Sequence, residues 1–197
     1  MKQITTTVYN FSELSDKAKE KARQWWRDSF EFDASSILDD AKEIGKFLGY
    51  DISKIYYSGF SSQGDGACFK GTWRGSDLKI NDFKSSYPIQ HEELHKIGEA
   101  LAREVATFPI ASLTVKHRGH YYHDKSTVFD IDCGNGIYSQ SADECAKQLI
   151  DLSRDFMRWI YRQLEQEYNY QNSDAAVDEN INANEYTFTE DGKRFGN

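Results

Sequence analysis

The run "HEELH", His91 to His95, has the spacing of the zinc-hydrolase pattern HExxH. On a helix, imidazoles at i and i+4 share one face and can hold one zinc, and the intervening glutamate can activate a water. His91 and His95 would be ligands here and Glu92 the base. Leu94 lies at the centre of the apolar stripe of the surrounding helix. The helical step then sets His91 about 60° and His95 about 100° from that centre. Both fall on the flank of the buried face, and a longer form of the motif would place its third histidine where Leu101 stands. The pattern is degenerate, and two flank histidines at the start of an exposed helix is the simpler expectation.

A second cluster is "HRGHYYH", His117 to His123. Strand alternation gives His123 the parity of Tyr121 and His120 that of Tyr122, so the three imidazoles do not all face one way. Two of them could hold a metal with Asp130 or Asp132. A polar, aromatic-flanked binding face is the preferred reading.

The third candidate is the loop in "IYYSGFSSQGDGACFKG", Ile55 to Gly71, where Gly59, Gly64 and Gly66 surround Phe60, Ser61, Ser62, Gln63 and Asp65. Backbone N–H groups beside glycines can form an anion-binding nest. Asp65 would set like charge against a phosphate, and neither GxxxxGK[ST] nor GxGxxG follows. The loop is either a recognition surface or a turn whose Gln63 and Asp65 bond their own backbone. No GxSxG motif is present. In each of the pairs Trp25-Trp26, Tyr56-Tyr57 and Tyr121-Tyr122, adjacent rings point to different sides, leaving one of them for an interface.

These residues sit on elements that the sequence pattern supplies. "ITTTVYNF" reads as a first strand. Ser15 caps a helix striped by Ala18, Ala22, Trp25, Trp26 and Phe30, and a second helix runs from about Ser36 to Leu48. "ISKIYYSGF" and "ACFKGTW" form a hairpin around the glycine loop. An irregular connection leads to Pro88 and a helix from about Gln90 to Thr107. Ile110–His117 and His120–Asp132 pair through a turn at Arg118-Gly119. Ser141 and Glu144 have capping-box spacing and open a helix reaching Tyr168, some 28 residues and roughly 40 Å long. The expected fold is α+β, an antiparallel sheet of about five strands with helices packed on one face and a long C-terminal helix. Residues 1–170 would be one domain. Residues 171–197 would be an acidic, partly flexible tail able to close in a hairpin at Asp191-Gly192.

The 197 residues carry a net charge of −8, with 14% aromatics. No basic face suggests direct nucleic-acid binding. No apolar run approaches a membrane span, and "MKQITTTVYNF" lacks a signal-peptide core. Three cysteines without CxxC spacing, Cys68, Cys133 and Cys145, suit a reducing cytosol. Acids concentrate at residues 28–43, including Asp39 and Asp40, and in the final segment. Such acidity favours basic partners.

The segments "VYNFSELSDKAKEKARQWW", "IYYSGFSSQGDGACFKG", "VKHRGHYYHDKSTVFDID" and "ANEYTFTEDGKR" together resemble a group of small proteins encoded by phages and prophages. Some of these are labelled "antitoxin of toxin–antitoxin stability system". The resemblance covers most of the chain, leaves out "HEELH" and brings no catalytic residues. It implies a phage-borne accessory protein of the host bacterial cytoplasm, and small acidic proteins of this kind also suit inhibition of bacterial defences, as anti-CRISPR and anti-restriction proteins do. The expected function is therefore non-enzymatic, with no cofactor: an inhibitor or antitoxin that binds a host toxin or defence nuclease. Binding residues would be Phe60, Ser62, Gln63, Asp65, His120, Tyr121 and His123, with Asp39 and Asp40. The alternatives are a metal-dependent hydrolase using His91, Glu92 and His95, and a small-ligand or signalling-nucleotide binder. The long last helix offers a surface for a homodimer.

Overall fold

The computed structural model describes residues 1–2, 5–87, 91–134 and 139–196. They form an α+β chain with α1 (Asp16–Asp28), α2 (Ser35–Phe47), α3 (Ile80–Ser86), α4 (Glu92–Thr107), α5 (Gln140–Gln171) and α6 (Asp174–Ala183). The strands are β1 (Tyr9–Asn10), β2 (Tyr50–Tyr57), β3 (Ala67–Arg74), β4 (Ser112–His117), β5 (Thr127–Asp132), β6 (Thr187–Phe188) and β7 (Arg194–Phe195). In place of one sheet of about five strands there are two antiparallel sheets, one of order β2-β3-β4-β5 and one of order β1-β6-β7.

The chain divides into two compact units, residues Ala34–Glu165 and a second unit of Met1–Asp33 with Gln166–Asn197. In the larger unit, β2 and β3 pair from Tyr50↔Trp73 to Tyr57↔Ala67, and β3 pairs with β4 from Gly71↔Val115 to Arg74↔Ser112. The inward rings of Tyr50 and Phe69 meet Phe156 of α5. The Tyr50 hydroxyl donates to Ser153 Oγ (3.0 Å), which itself donates to the Leu149 carbonyl (2.7 Å). Both polar groups are thus satisfied in a core that would penalise them unpaired. The α5 stripe of Cys145, Leu149, Leu152, Phe156, Ile160 and Leu164 is buried within the chain.

Because β3 runs antiparallel to both neighbours, the start of β3 lies beside the end of β4. The β2–β3 loop (58–66) and the β4–β5 loop (118–126) therefore emerge at the same end of the sheet.

The smaller unit corrects the expectation of a loose tail. Ser173 accepts the Ala176 N–H and caps α6. Val177 and Ile181 of α6, with Phe188 of β6, close a buried cluster with Phe11, Leu14, Ala18 and Ala22. The expected hairpin at Asp191-Gly192 forms, with Gly192 at φ +81°. β1 keeps only Tyr9–Asn10 of the expected first strand, because its partner is the short β6; Ile4 lies outside the described residues. Residues 80–86, expected to be irregular, form α3, whose Phe83 is fully buried. At α5 the hydroxyl of Ser139, not of Ser141, accepts the Ala142 N–H (3.2 Å). The expected opening of α4 at Pro88–Gln90 also lies outside the described residues.

Candidate functional site

The β2–β3 loop is built around Asp65. Its Oδ2 accepts the backbone N–H groups of Ser61 (2.9 Å) and Ser62 (2.7 Å). Those two donors hold the carboxyl below its usual range, Ser62 contributing most. The Ser62 carbonyl in turn accepts the N–H of Gly64 and of Asp65, and Ser58 N–H to Gly66 O closes the base of the loop. The aspartate thus occupies the backbone donors that an anion-binding nest would need.

The β4–β5 loop is wider than a turn at Arg118-Gly119. β5 begins at Thr127, not at His120, because local bonds replace the ladder. His117 Nε2–H donates to the Tyr121 carbonyl (2.9 Å), Lys125 N–H donates to His123 Nδ1 (3.1 Å), and Thr127 Oγ1 donates to the Asp124 carbonyl (2.6 Å). The second bond leaves the His123 proton on Nε2 in the neutral ring.

The two loops touch closely enough to dictate residue type. A Cβ on Gly66 would lie 2.6 Å from His123 Cβ and 2.7 Å from His123 Cα, so only glycine fits. A Cβ on Gly64 would lie 3.2 Å from the ring of Tyr121. Tyr121 stacks on His123 (ring centroids 6.0 Å apart, 17° between planes) and meets His120 edge-on, yet stays 59% exposed. Behind it, Tyr56, His117 and Tyr122 form a second stack, with Lys54 Nζ 4.6 Å from the Tyr56 ring centre.

Between the loops lies a shallow cavity of about 380 Å³, lined by Ser58, residues 62–65 and residues 120–122. The structure thus gathers Ser62, Gln63, Asp65, His120 and Tyr121 at one place. His123 supports it from beneath Gly66. Phe60 turns instead onto α5, stacking on Tyr161 (5.6 Å). Asp39 and Asp40, both exposed on α2, do not line this cavity. Asp39 is 3.2 Å from Lys42 Nζ and lines a different cavity with Lys46 and Lys79.

Two residues that sequence reasoning passed over brace the site. Tyr161 Oη donates to the Gly59 carbonyl (3.1 Å), and Arg158 Nη1 pairs with Asp124 Oδ2 (2.6 Å). Their i, i+3 spacing on α5 was the available signal.

Glu92 and His95 of the HEELH run have separate local partners. His91 precedes the first residue of α4 with non-helical backbone. His95 Nε2–H donates to the Tyr87 carbonyl (3.0 Å) and its ring packs against Phe83, while Glu92 pairs with Lys96 (2.6 Å). Among the described residues no three His, Cys, Asp or Glu side chains are grouped to hold a metal ion. Burial pushes the Cys68 thiol up to about 12, with Asp124 adding to the effect, which removes thiolate character at neutral pH.

An α+β domain whose antiparallel sheet presents two braced hairpin loops around an aromatic cleft is the class defined by this geometry. The chain belongs to the family described as Domain of unknown function (DUF8835), whose model matches residues 34–174 and so takes in the four-stranded sheet and both loops. That description names no function and makes no connection with phages or antitoxins. No curated protein and no solved structure matches the chain. Among the described residues no helix is long and apolar enough to cross a membrane.

Proposed function

We propose that the protein acts by binding rather than by catalysis, and that the cleft between residues 58–66 and 118–126 is its recognition surface. One observation carries this reading: Tyr121 packs against Gly64, His120 and His123, yet keeps more than half its surface open beside Gln63 and Asp65. A rigid, exposed tyrosine beside polar groups of fixed geometry suits a macromolecular hot spot, because little entropy is lost when a partner covers it. The titratable groups here suit binding better than turnover. Asp65 is held as a weakly basic carboxylate, and Cys68 is kept protonated.

The partner chemistry that fits is a basic protein surface. The net charge of −8 steers such a partner towards the chain, and Asp65 offers it a carboxylate. A host toxin or defence nuclease, whose nucleic-acid-handling face is basic, is the class that the phage resemblance adds. Blocking such a face would make the chain an antitoxin or anti-defence inhibitor of the bacterial cytoplasm. The test is affinity capture with the full chain and with Gln63→Ala/Tyr121→Ala, after confirming an unchanged fold by circular dichroism. The reading expects a stoichiometric basic partner that binds the parent and is lost on the double change. Equal capture by both would remove the cleft from the interface.

A further inference from the structure

The smaller unit holds a groove of about 480 Å³ that the reading above does not use. Its walls include Trp25, Trp26, Phe30 and Tyr186, and the carboxylate residues Glu31 and Asp33 also line it. Trp26 and Phe30 are stacked with centroids 5.0 Å apart, and Trp25 stands edge-on to Tyr186 at 5.3 Å. All four rings are only half-buried, and both acids are exposed.

We propose that this groove binds a cationic side chain, an arginine of a basic peptide. Three features of the same place favour positive charge. The first is the aromatic wall, whose ring faces attract cations. The chain already uses it so: the Arg194 guanidinium lies 4.7 Å from the Tyr186 ring centre and 5.7 Å from that of Trp25. Arg194 does not line the groove, which leaves Trp26 and Phe30 to an incoming guanidinium.

The second feature is the end of α1. Trp25, Trp26 and Ser29 sit at its C-terminus, where the helix carries partial negative charge. The third is the pair Glu31 and Asp33. The arginines of α1 are committed elsewhere, Arg23 to Asp178 and Glu20 and Arg27 to Asp174. They do not pair with Glu31, which has no ion pair among the described residues. Aromatic faces, a helix C-terminus and carboxylates together select a planar cation and disfavour an anion or a neutral chain. Guanidinium suits the stacked rings better than ammonium does, being flat and weakly hydrated.

This site does not depend on the sheet-end cleft, and its test separates the two. The full chain, labelled with ¹⁵N, is titrated with acetyl-Gly-Arg-Gly amide and with the same peptide carrying neutral citrulline. The indole N–H signals are followed. The proposal expects saturable shifts at Trp25 and Trp26, none at the buried Trp73 and Trp159, and none with citrulline. Trp26→Ala should weaken binding roughly fivefold or more, the scale of one lost cation–π contact. Glu31→Gln with Asp33→Asn leaves the aromatic wall intact; it should weaken binding about threefold and flatten its salt dependence. This pair decides the matter if Trp26→Ala fails to fold. The proposal is overturned by absent or unsaturable shifts, by equal response to citrulline, by indifference to the acid-to-amide pair, or by shifts confined to residues 58–66 and 120–122.

Discussion

Arg158 and Tyr161 stand one turn apart on α5, and each holds a different loop: Arg158 takes Asp124 of the β4–β5 loop, and Tyr161 takes the Gly59 carbonyl of the β2–β3 loop. One helix face thereby fixes both walls of the cleft. The bonds are individually modest. The Arg158–Asp124 pair is partly exposed and worth ~0.2–1 kcal/mol, and the tyrosine bond contributes about 0.5–1.5 kcal/mol. Their role is to set geometry rather than global stability.

Tyr161→Phe should therefore loosen one loop alone. The Phe60 stack survives this change, so the fold persists with a melting temperature lowered by a few degrees at most. Amide exchange should accelerate at Ser61 and Ser62 and stay unchanged at Lys125 and Ser126. Arg158→Ala should show the converse pattern. Exchange accelerating equally in both loops for either variant would contradict the division of labour.

Gly66→Ala should do more damage. Its new methyl would meet the His123 backbone, which cannot swing aside as a side-chain tip can. Overpacking of this kind costs roughly 1–3 kcal/mol. Chemical denaturation should report that loss, and the Tyr121 and His123 ring signals should move together. A variant with parent stability and unmoved signals would show that the two loops are not in contact.

The Asp65 loop has a predictable acid response. Its carboxyl titrates below the usual aspartate range because ionisation is favoured by the Ser62 and Ser61 N–H groups. A carboxyl depressed in the folded state contributes order that is present above the unfolded pKa and lost as pH falls through the folded value. The Ser61 and Ser62 amide shifts should thus stay constant through the ordinary aspartate range and change only at lower pH. A midpoint at or above that of a free aspartate would contradict the pairing.

His95 provides a check on the zinc alternative. The structure gives it a packing role, donating to the Tyr87 carbonyl and covering Phe83. His95→Ala should lower stability by about 0.5–1.5 kcal/mol for the lost bond, and more as the ring contact goes. The metal content of the purified chain, measured by plasma emission, should be unaffected by it. Stoichiometric zinc lost on this change would restore the hydrolase reading.

Local signals made much of this legible in the sequence. Ser15 capping α1 and the apolar stripes of α1, α2, α4 and α5 depend on neighbours a few residues away, and so does the β2–β3 hairpin. What escaped depends on distant partners. The polar run holding Val177 and Ile181 looked unable to bury enough surface, but Phe11, Leu14 and Ala18 from the other end of the chain complete its core. β5 starts late because His117, His123 and Asp124 bond locally, a competition that strand propensity does not register. The candidate site was partly visible: glycines and tyrosines marked both loops. That Gly66 lies against His123 follows only from the sheet order, and Asp39 and Asp40 were drawn in by charge alone.

In the proposed mechanism the chain works by gripping a partner at the sheet-end cleft. Site-specific photo-crosslinking tests it most directly, with a benzophenone amino acid in place of Gln63, of Tyr121, and of the exposed Lys147 on α5 as control. One and the same basic protein should be joined from the first two positions and none from the third. Adducts formed equally from all three positions, or from the control alone, would contradict it.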